Sequence, residues 1–229
     1  MPTRIEKSTL LFLQKLSRNN NRDWFNQNKN QYLTAHENMI AFADSLLAEM
    51  QKHDHIETMT GKHALMRIYR DIRFSKDKTP YRTYMGGGFR RATKRLRGGY
   101  YFQVGPDGGL AAGGFFGPNR EDLLRIRKDI DVFHEDWKKV LRGQGLSRIF
   151  GEIKGDKLIS APRGFPRDHV AIDLLRLKQF YFERIFSPEE VLDSDFLEEV
   201  NDSFRSLRPY LDFMSQVLTT DGNGVSIID

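Results

Sequence analysis

Between Leu65 and Phe116, apolar residues tend to recur at every second position, as they do in strands. This pattern constrains the fold more than any other feature of the sequence. It predicts four strands, which are Leu65–Tyr69, Thr83–Phe89, Gly99–Val104 and Leu110–Phe116. The last two flank Gly105-Pro-Asp-Gly-Gly109, a strong hairpin turn signal. Because no helical pattern separates these strands, we expect an antiparallel meander over about residues 64–116.

Glycines are frequent within this period-two stretch, as in Gly86-Gly87-Gly88 and Gly113-Gly114. Glycine inside a strand marks a bulge or a close approach by a ligand or another backbone. No Gly-Lys-Ser/Thr follows at phosphate-loop spacing, and the dinucleotide-binding fingerprint is missing as well. The glycines therefore indicate neither of these two nucleotide sites.

Helical periodicity dominates on both sides of the predicted sheet. Before it, the pattern predicts a helix over residues 6–18 and a second one, capped by Asn21, that continues from Trp24 to Met50. After it, a helix is predicted from Pro118-Asn119 to Arg142, where Gly143 ends it.

Shorter signals follow in the C-terminal third. They predict a helix over 146–150, one capped by Asp168 that runs to Leu177, and a strand over Phe180–Phe186 that returns to the sheet. Ser187-Pro-Glu-Glu190 is a capping-box start for a final helix through Leu218, which Pro209 is expected to bend or interrupt. We predict an α+β fold with a central antiparallel sheet packed against N-terminal and C-terminal helices. A single domain is expected over 1–220, with a flexible tail at 221–229.

Several sequence features are missing, and their absence restricts the function. The chain has no cysteine, which excludes disulfides and thiolate chemistry. Its first apolar run, residues 10–13, is too short for a secretion signal, and no run approaches the roughly 18 apolar residues of a membrane span. His53 and His55 have no third spaced ligand, so no metal site is predicted. We expect a cytoplasmic protein with no membrane partner, and the residues leave any cofactor unknown.

Positive charge is concentrated in one segment. The net charge is +5, but the residues from Arg67 to Arg97 include eleven Lys/Arg and two Asp/Glu. The remainder of the chain carries 25 Lys/Arg against 29 Asp/Glu. A concentrated basic segment attracts anions, whereas the alternative is a basic surface paired with the acidic remainder of the same chain.

The stretch Arg70–Arg82 combines this charge with a turn and aromatic rings. Cations and aromatic faces are the groups that bind phosphate and planar ligands. The predicted ligand-binding residues are Arg70, Arg73, Ser75, Lys76, Lys78, Tyr81 and Tyr100, completed by Arg22 and Arg163 if the fold brings their loops near. Structural support is predicted from Asp71, Asp77, Pro80, Asn20 and Trp24. The surrounding cations favour ionised Asp71 and Asp77, which makes both poor general acids near neutrality.

Several motifs resemble the family catalogued as domain of unknown function 2461. They are Asn19-Asn-Asn-Arg-x-Trp-Phe25, Arg70-Asp-x-Arg-Phe-Ser-x-Asp-Lys-x-Pro-Tyr81, Gly99-Tyr-Tyr101, Pro162-Arg-Gly-Phe165 and Leu174-Leu-Arg-Leu-Lys178. The resemblance covers nearly the whole chain and implies one full-length α+β domain. It implies no activity, cofactor or substrate.

Three hypotheses about function follow. The first is a pocket for a phosphate-containing ligand, with or without catalysis. The second is a non-catalytic interaction or scaffold protein in which the Arg70–Arg82 motif is structural. The third is nucleic-acid binding through the basic segment, including the run Arg90-Arg-Ala-Thr-Lys-Arg-Leu-Arg97.

Overall fold

The structure, a computed structural model, describes residues 3–221 and 224–228. Helices precede the sheet at α1 (Lys7–Arg18), α2 (Arg22–Gln27), α3 (Lys29–Met50) and α4 (Gly61–Ala64). The strands are β1 (Met85–Arg90), β2 (Gly99–Gly105), β3 (Gly108–Phe115) and β4 (Phe180–Phe186). The remaining helices are α5 (Arg120–Leu141), α6 (Gln144–Phe150), α7 (Ile172–Leu175), α8 (Pro188–Leu192) and α9 (Phe196–Thr219).

The four strands form one antiparallel sheet in the order β1-β2-β3-β4. β2 and β3 meet at the predicted Pro106-Asp107 turn, and β4 returns to the edge of the sheet after three intervening helices. The predicted α+β class, with a central antiparallel meander and helices before and after it in the chain, is confirmed.

Two compact units divide the residues. Among the described residues, the first comprises 3–90, 100–111 and 185–202, and the second comprises 91–99, 112–184, 203–221 and 224–228. In the first unit, Phe42 of α3 packs against Phe102 of β2 with 5.8 Å between ring centroids. In the second, Tyr210 of α9 packs edge-on against Phe182 of β4 at 5.1 Å and donates a hydrogen bond to the Phe180 carbonyl. The single domain predicted over 1–220 stays a prediction.

Local sequence signals set several element ends. Asn21 accepts a hydrogen bond from the Trp24 amide at the start of α2, as predicted for an N-cap. The predicted capping box is confirmed, because the Ser187 and Glu190 side chains each bond the other's backbone amide at α8.

Close approach of backbone explains the glycines of β1. A Cβ on Gly86 would lie 2.3 Å from the Phe102 carbonyl oxygen, and one on Gly87 would lie 2.0 Å from that of Ala64. Any side chain there would collide with backbone atoms that cannot move aside. Of the two alternatives for these glycines, the structure shows the approach of another backbone segment.

Several local predictions are wrong. Residues 65–69 form isolated bridges instead of a regular strand, and the helix expected from Trp24 to Met50 ends at Gln27 and begins again at Lys29. The helix after Asp168 is confined to Ile172–Leu175 and has Ala171 as its N-cap. The expected final helix is two helices, α8 and α9. Pro209 lies inside α9 without interrupting it, and the alternative that it bends the helix stays a prediction. Tertiary packing overrides propensity in such short elements.

The predicted flexible tail lies partly outside the described residues, at 222–223 and 229. Within the described part, Thr220 and Ser226 form an antiparallel bridge. The mobility of the tail stays a prediction.

Candidate functional site

The Arg70–Arg82 motif forms a loop that is closed at its base. Tyr69 and Tyr81 form an isolated antiparallel bridge. On either side of it, the Arg70 amide donates to the Pro80 carbonyl at 2.9 Å and the Arg82 amide to the Ile68 carbonyl at 2.8 Å. Residues 71–79 therefore project as a loop, here called the loop 71–79, from a base that backbone hydrogen bonds fix.

Arg70 is held at this base by Asp77 and Thr79. Its Nη1 donates to Asp77 Oδ2 at 2.5 Å, to the Thr79 carbonyl at 3.2 Å and to the Thr79 hydroxyl. Hydrogen bonds from the Thr79 amide and then from Arg70 lower the pKa of Asp77 to about 2. Asp77 is therefore ionised near neutral pH and fixes the direction of the Arg70 guanidinium. A second contact, 3.5 Å between Arg70 Nη2 and Ser75 Oγ, is too long to add much.

Three further charged side chains of the loop 71–79, those of Asp71, Arg73 and Lys78, are also engaged locally. Arg73 donates to Asp71 from Nε at 3.0 Å and from Nη2 at 2.6 Å, which is a fork-like pair at the exposed surface. This pair lowers the pKa of Asp71. Lys78 Nζ donates to the Ile72 carbonyl at 3.0 Å. Asp71 and Asp77 thus each bind an arginine of the motif, and their role as structural support stays a prediction.

A cavity of about 260 Å³ lies beside this base and brings in α2. We call it the Arg22 cavity, and its lining residues are Arg22, Asn26, Tyr69, Arg70, Ile72, Pro80 and Tyr81. Arg22 stands in the first turn of α2, and Asn26 lies one turn further on the same face. Within residues 3–221 and 224–228, Arg22 is paired with no carboxylate, and no carboxylate lines the cavity.

Aromatic rings form the apolar side of the Arg22 cavity. Phe25 of α2 is 2% exposed and stacks on Tyr81 with 4.0 Å between centroids. Tyr69 packs against Tyr81 at 5.4 Å and is 57% exposed, so part of its ring faces solvent. Burial, and then the neighbouring Tyr69, raise the pKa of Tyr81, while the charge of Arg22 opposes this shift. Arg22 and Tyr81 thus line one cavity, and the charge of Arg22 acts on the Tyr81 hydroxyl.

Asn20 ties the turn before α2 to the Arg70–Arg82 motif. Its side-chain amide donates to the Tyr81 carbonyl at 2.9 Å, and its side-chain oxygen accepts from the Tyr81 amide at 3.1 Å. One side chain therefore satisfies both backbone groups of Tyr81 and ties the segment that carries Arg22 to the motif that carries Arg70.

Replacement of Asn20 by alanine is expected to destabilise the protein by about 1–3 kcal/mol, because two backbone groups in a partly buried site lose their partner. Denaturant titration followed by circular dichroism measures this loss. Asn19→Ala is the matched control, since the Asn19 side chain is exposed and bonds only within its own turn. Equal losses in the two variants would contradict the role of Asn20.

The remaining predicted ligand residues lie elsewhere. Tyr100 is 2% exposed and donates from its hydroxyl to Asp54 at 2.6 Å inside the first unit. Arg73, Lys76 and Lys78 lie on the loop 71–79 outside the cavity lining, and Arg163 is an exposed residue of the second unit. Trp24 stacks against Phe12 at 6.1 Å. Asn26 and Tyr69 were missed, although the spacing of four from Arg22 to Asn26 was readable in the sequence.

The basic run at residues 90–97 is partly internal. The Arg91 side chain is fully buried and pairs with Asp212. Arg97 pairs with Asp122 at 2.5 Å. Two of the cations expected on a phosphate track thus bind carboxylates of the same chain.

Metal and membrane signals are missing from the part of the chain that the structure describes. It contains no group of three or more His, Asp or Glu side chains placed to bind a metal ion. His53 instead shares a hydrogen bond of 2.9 Å between its Nε2 and the Asn201 side chain. Every helix in the same residues is too short or too polar to cross a bilayer.

The chain matches a known protein family. Residues 8–213 match the model of a family described as "Conserved hypothetical protein (DUF2461)". No curated protein and no solved structure matches the chain. The matched span includes every residue that lines the Arg22 cavity.

Proposed function

This chain belongs to the DUF2461 family of conserved hypothetical proteins, and we propose that its Arg22 cavity binds a small phosphate-containing ligand that carries a planar group. The observation that supports this most is the convergence of Arg22 and Arg70, from segments 48 positions apart in the sequence, on one cavity whose lining has no carboxylate. Two guanidinium groups offer the planar donor geometry that binds phosphate oxygens. Asp77 pairs with the charge of Arg70, so Arg22 supplies the positive charge that no carboxylate matches within the described residues.

Arg70 supports the proposal through its fixed orientation. An arginine has five N–H donors, and Asp77 and Thr79 occupy those of Nη1. Nε and Nη2 retain donor capacity beyond the long contact to Ser75. A guanidinium that is already fixed loses little side-chain entropy when it binds an anion, which favours recognition.

Arg22 would supply the second donor group. It is exposed and lies in the first turn of α2 with no carboxylate partner within residues 3–221 and 224–228. The Tyr69 and Tyr81 rings border the same cavity, and the structure gives neither hydroxyl a hydrogen-bond partner within those residues. The Tyr69 ring, which is 57% exposed, can contact a planar group while the arginines hold the phosphate, and the Tyr81 ring, which is 4% exposed, packs against Tyr69 and supports it.

The cavity volume limits the ligand. About 260 Å³ is just below the roughly 300–1,000 Å³ of small-molecule pockets, so a phosphate with one ring fits better than a dinucleotide. The pKa of Asp77, at about 2, favours binding over acid catalysis by this carboxylate, because it holds no proton at neutral pH.

The test uses titration calorimetry with phenyl phosphate, inorganic phosphate and phenol. We expect phenyl phosphate to bind most tightly and Arg22→Ala to weaken its binding about 10- to 100-fold, since a hydrogen bond to a charged group contributes about 1.5–3 kcal/mol. Arg18→Ala is the control, because it removes the same charge from the end of α1 and does not line the cavity. Absence of binding, or an equal loss in both variants, would refute the site.

A second candidate is a structural role for the Arg70–Arg82 motif, and the Arg70–Asp77 and Arg73–Asp71 pairs favour it. Under this alternative, Arg70→Ala lowers the unfolding free energy while the wild-type protein binds none of the three probes. Under the binding proposal, the wild-type protein binds phenyl phosphate, and binding stabilises it against heat.

A further inference from the structure

A second cavity, unrelated to the Arg22 cavity, lies within the second compact unit between α5 and the C-terminal part of α9. Its volume is about 610 Å³, well inside the range of small-molecule pockets. Residues of α5 spaced by three and four, from Glu121 to Asp136, form one wall. The end of α9 and the two residues after it form the other.

Large apolar side chains line this α5–α9 cavity without being fully covered. Leu124 and Phe133 are 47% and 45% exposed, and Phe213 and Val217 face them from α9. Phe133 also marks a kink, with φ −114° and ψ 35° inside α5. The sequence of α5 contains neither proline nor glycine, so packing rather than local propensity sets the kink.

A fixed carboxylate lies beside these apolar groups. Asp129 Oδ1 accepts a hydrogen bond of 2.6 Å from the Trp137 indole, across the kink at Phe133. Burial raises the pKa of Asp129, the Trp137 hydrogen bond opposes this shift, and the like charge of Asp136, which also lines the cavity, adds a smaller increase. Two neighbouring carboxylates at a partly apolar surface repel each other, and a bound cation would relieve that repulsion.

The residues that line the α5–α9 cavity carry a net negative charge, whereas the protein as a whole is positively charged. The lining has four acidic residues and two basic ones, whereas the protein carries +5 overall. Of the two basic residues, Arg125 donates a hydrogen bond of 3.4 Å from its Nη1 to the Thr220 carbonyl. We infer that the α5–α9 cavity binds an organic ammonium ion with an apolar body, with Asp129 and Asp136 holding the ammonium group and Leu124, Phe133, Phe213 and Val217 the body.

The test compares octylammonium, octanol and octanoate, which share one apolar chain and differ in charge. Titration calorimetry at neutral pH, below the aggregation concentration of each probe, is expected to show that octylammonium binds at least tenfold more tightly than octanol. Octanoate should bind most weakly. Octanoate binding as tightly as octylammonium would overturn the inference.

Two variants locate the ammonium group. Asp129→Asn keeps an oxygen that can accept from Trp137, and it is expected to weaken octylammonium binding tenfold or more. Asp136→Asn, at an exposed position, should weaken it several-fold and serves if Asp129→Asn does not fold. The control is Glu135→Gln, which removes one acidic charge from α5 outside the cavity lining and should change affinity less than twofold. Wild-type affinity in both aspartate variants would overturn the inference.

Discussion

Replacement of Phe25 by alanine is expected to lower the unfolding free energy by about 3–5 kcal/mol, the usual cost of truncating a buried aromatic ring. Phe25 is 2% exposed, and its ring lies 4.0 Å from Tyr81 and 5.0 Å from Tyr32, measured between centroids. It also contacts Phe12 and Tyr69, at 6.4 and 6.2 Å. Truncation of Phe25 would leave a cavity among these four rings, and they cannot all shift to fill it.

The measurement is denaturant unfolding followed by circular dichroism. Phe74→Ala is the matched control, because Phe74 is 97% exposed on the loop 71–79 and should change stability by less than about 0.5 kcal/mol. Phe25→Leu refills part of the volume and should lie between the two. Since Phe25 also supports the Tyr81 ring, the folded leucine variant should bind phenyl phosphate more weakly than the wild type. A loss in Phe25→Ala no larger than that in Phe74→Ala would contradict the aromatic packing.

Local chemistry made much of the fold predictable. The Pro106-Asp107 turn, the Asn21 cap and the Ser187–Glu190 capping box involve residues at most a few positions apart. Each depends on a side chain that satisfies nearby backbone groups, so no distant partner is needed. The Asp71–Arg73 pair is local as well, because its two side chains lie two positions apart and bond each other directly.

Pairing between segments that are distant in the sequence was harder to predict. Residues 65–69 have strand-like composition, but only Leu65 and Tyr69 form bridges, with Gly87 and Tyr81. Strand propensity describes a surface that fits a neighbour and does not say how much of it is paired. The proximity of Arg22 to Arg70 likewise depends on the Asn20–Tyr81 hydrogen bonds across 61 positions, for which the sequence has no local signal.

Tyr100 shows a signal that was available but not used. β2 is buried at alternate positions, and Tyr100 shares the buried face with Phe102 and Val104. Alternation along a strand places residues two apart on one side of the sheet. A ring flanked by Phe and Val at that spacing is expected in the core, where its hydroxyl must find a partner, here Asp54.

Arg91→Ala is the second substitution with a large expected effect, a loss of about 3 kcal/mol in the free energy of unfolding. Breaking a buried ion pair by removing one partner costs about 3–5 kcal/mol. We expect the lower end, because Asp212 is 44% exposed and keeps a hydrogen bond of 3.2 Å from Arg208. The Arg91 side chain itself is fully buried, and its Nη1 also reaches the Arg97 carbonyl at 3.2 Å and the Ser215 hydroxyl at 3.3 Å.

Arg95→Ala provides the comparison within the same basic run. Arg95 is exposed, so its replacement should change the free energy of unfolding by less than about 0.5 kcal/mol. It removes one positive charge, as Arg91→Ala does. Denaturant unfolding of both variants at low and high salt separates packing from general charge, since a buried pair is screened much less than exposed charges. A large loss in Arg91→Ala at both salt concentrations, with none in Arg95→Ala, would mean that Arg91 acts in the core and is unavailable to a nucleic-acid backbone. Equal and small losses of unfolding free energy in the two variants would indicate that Arg91 lies at the surface, as the nucleic-acid-binding hypothesis expects.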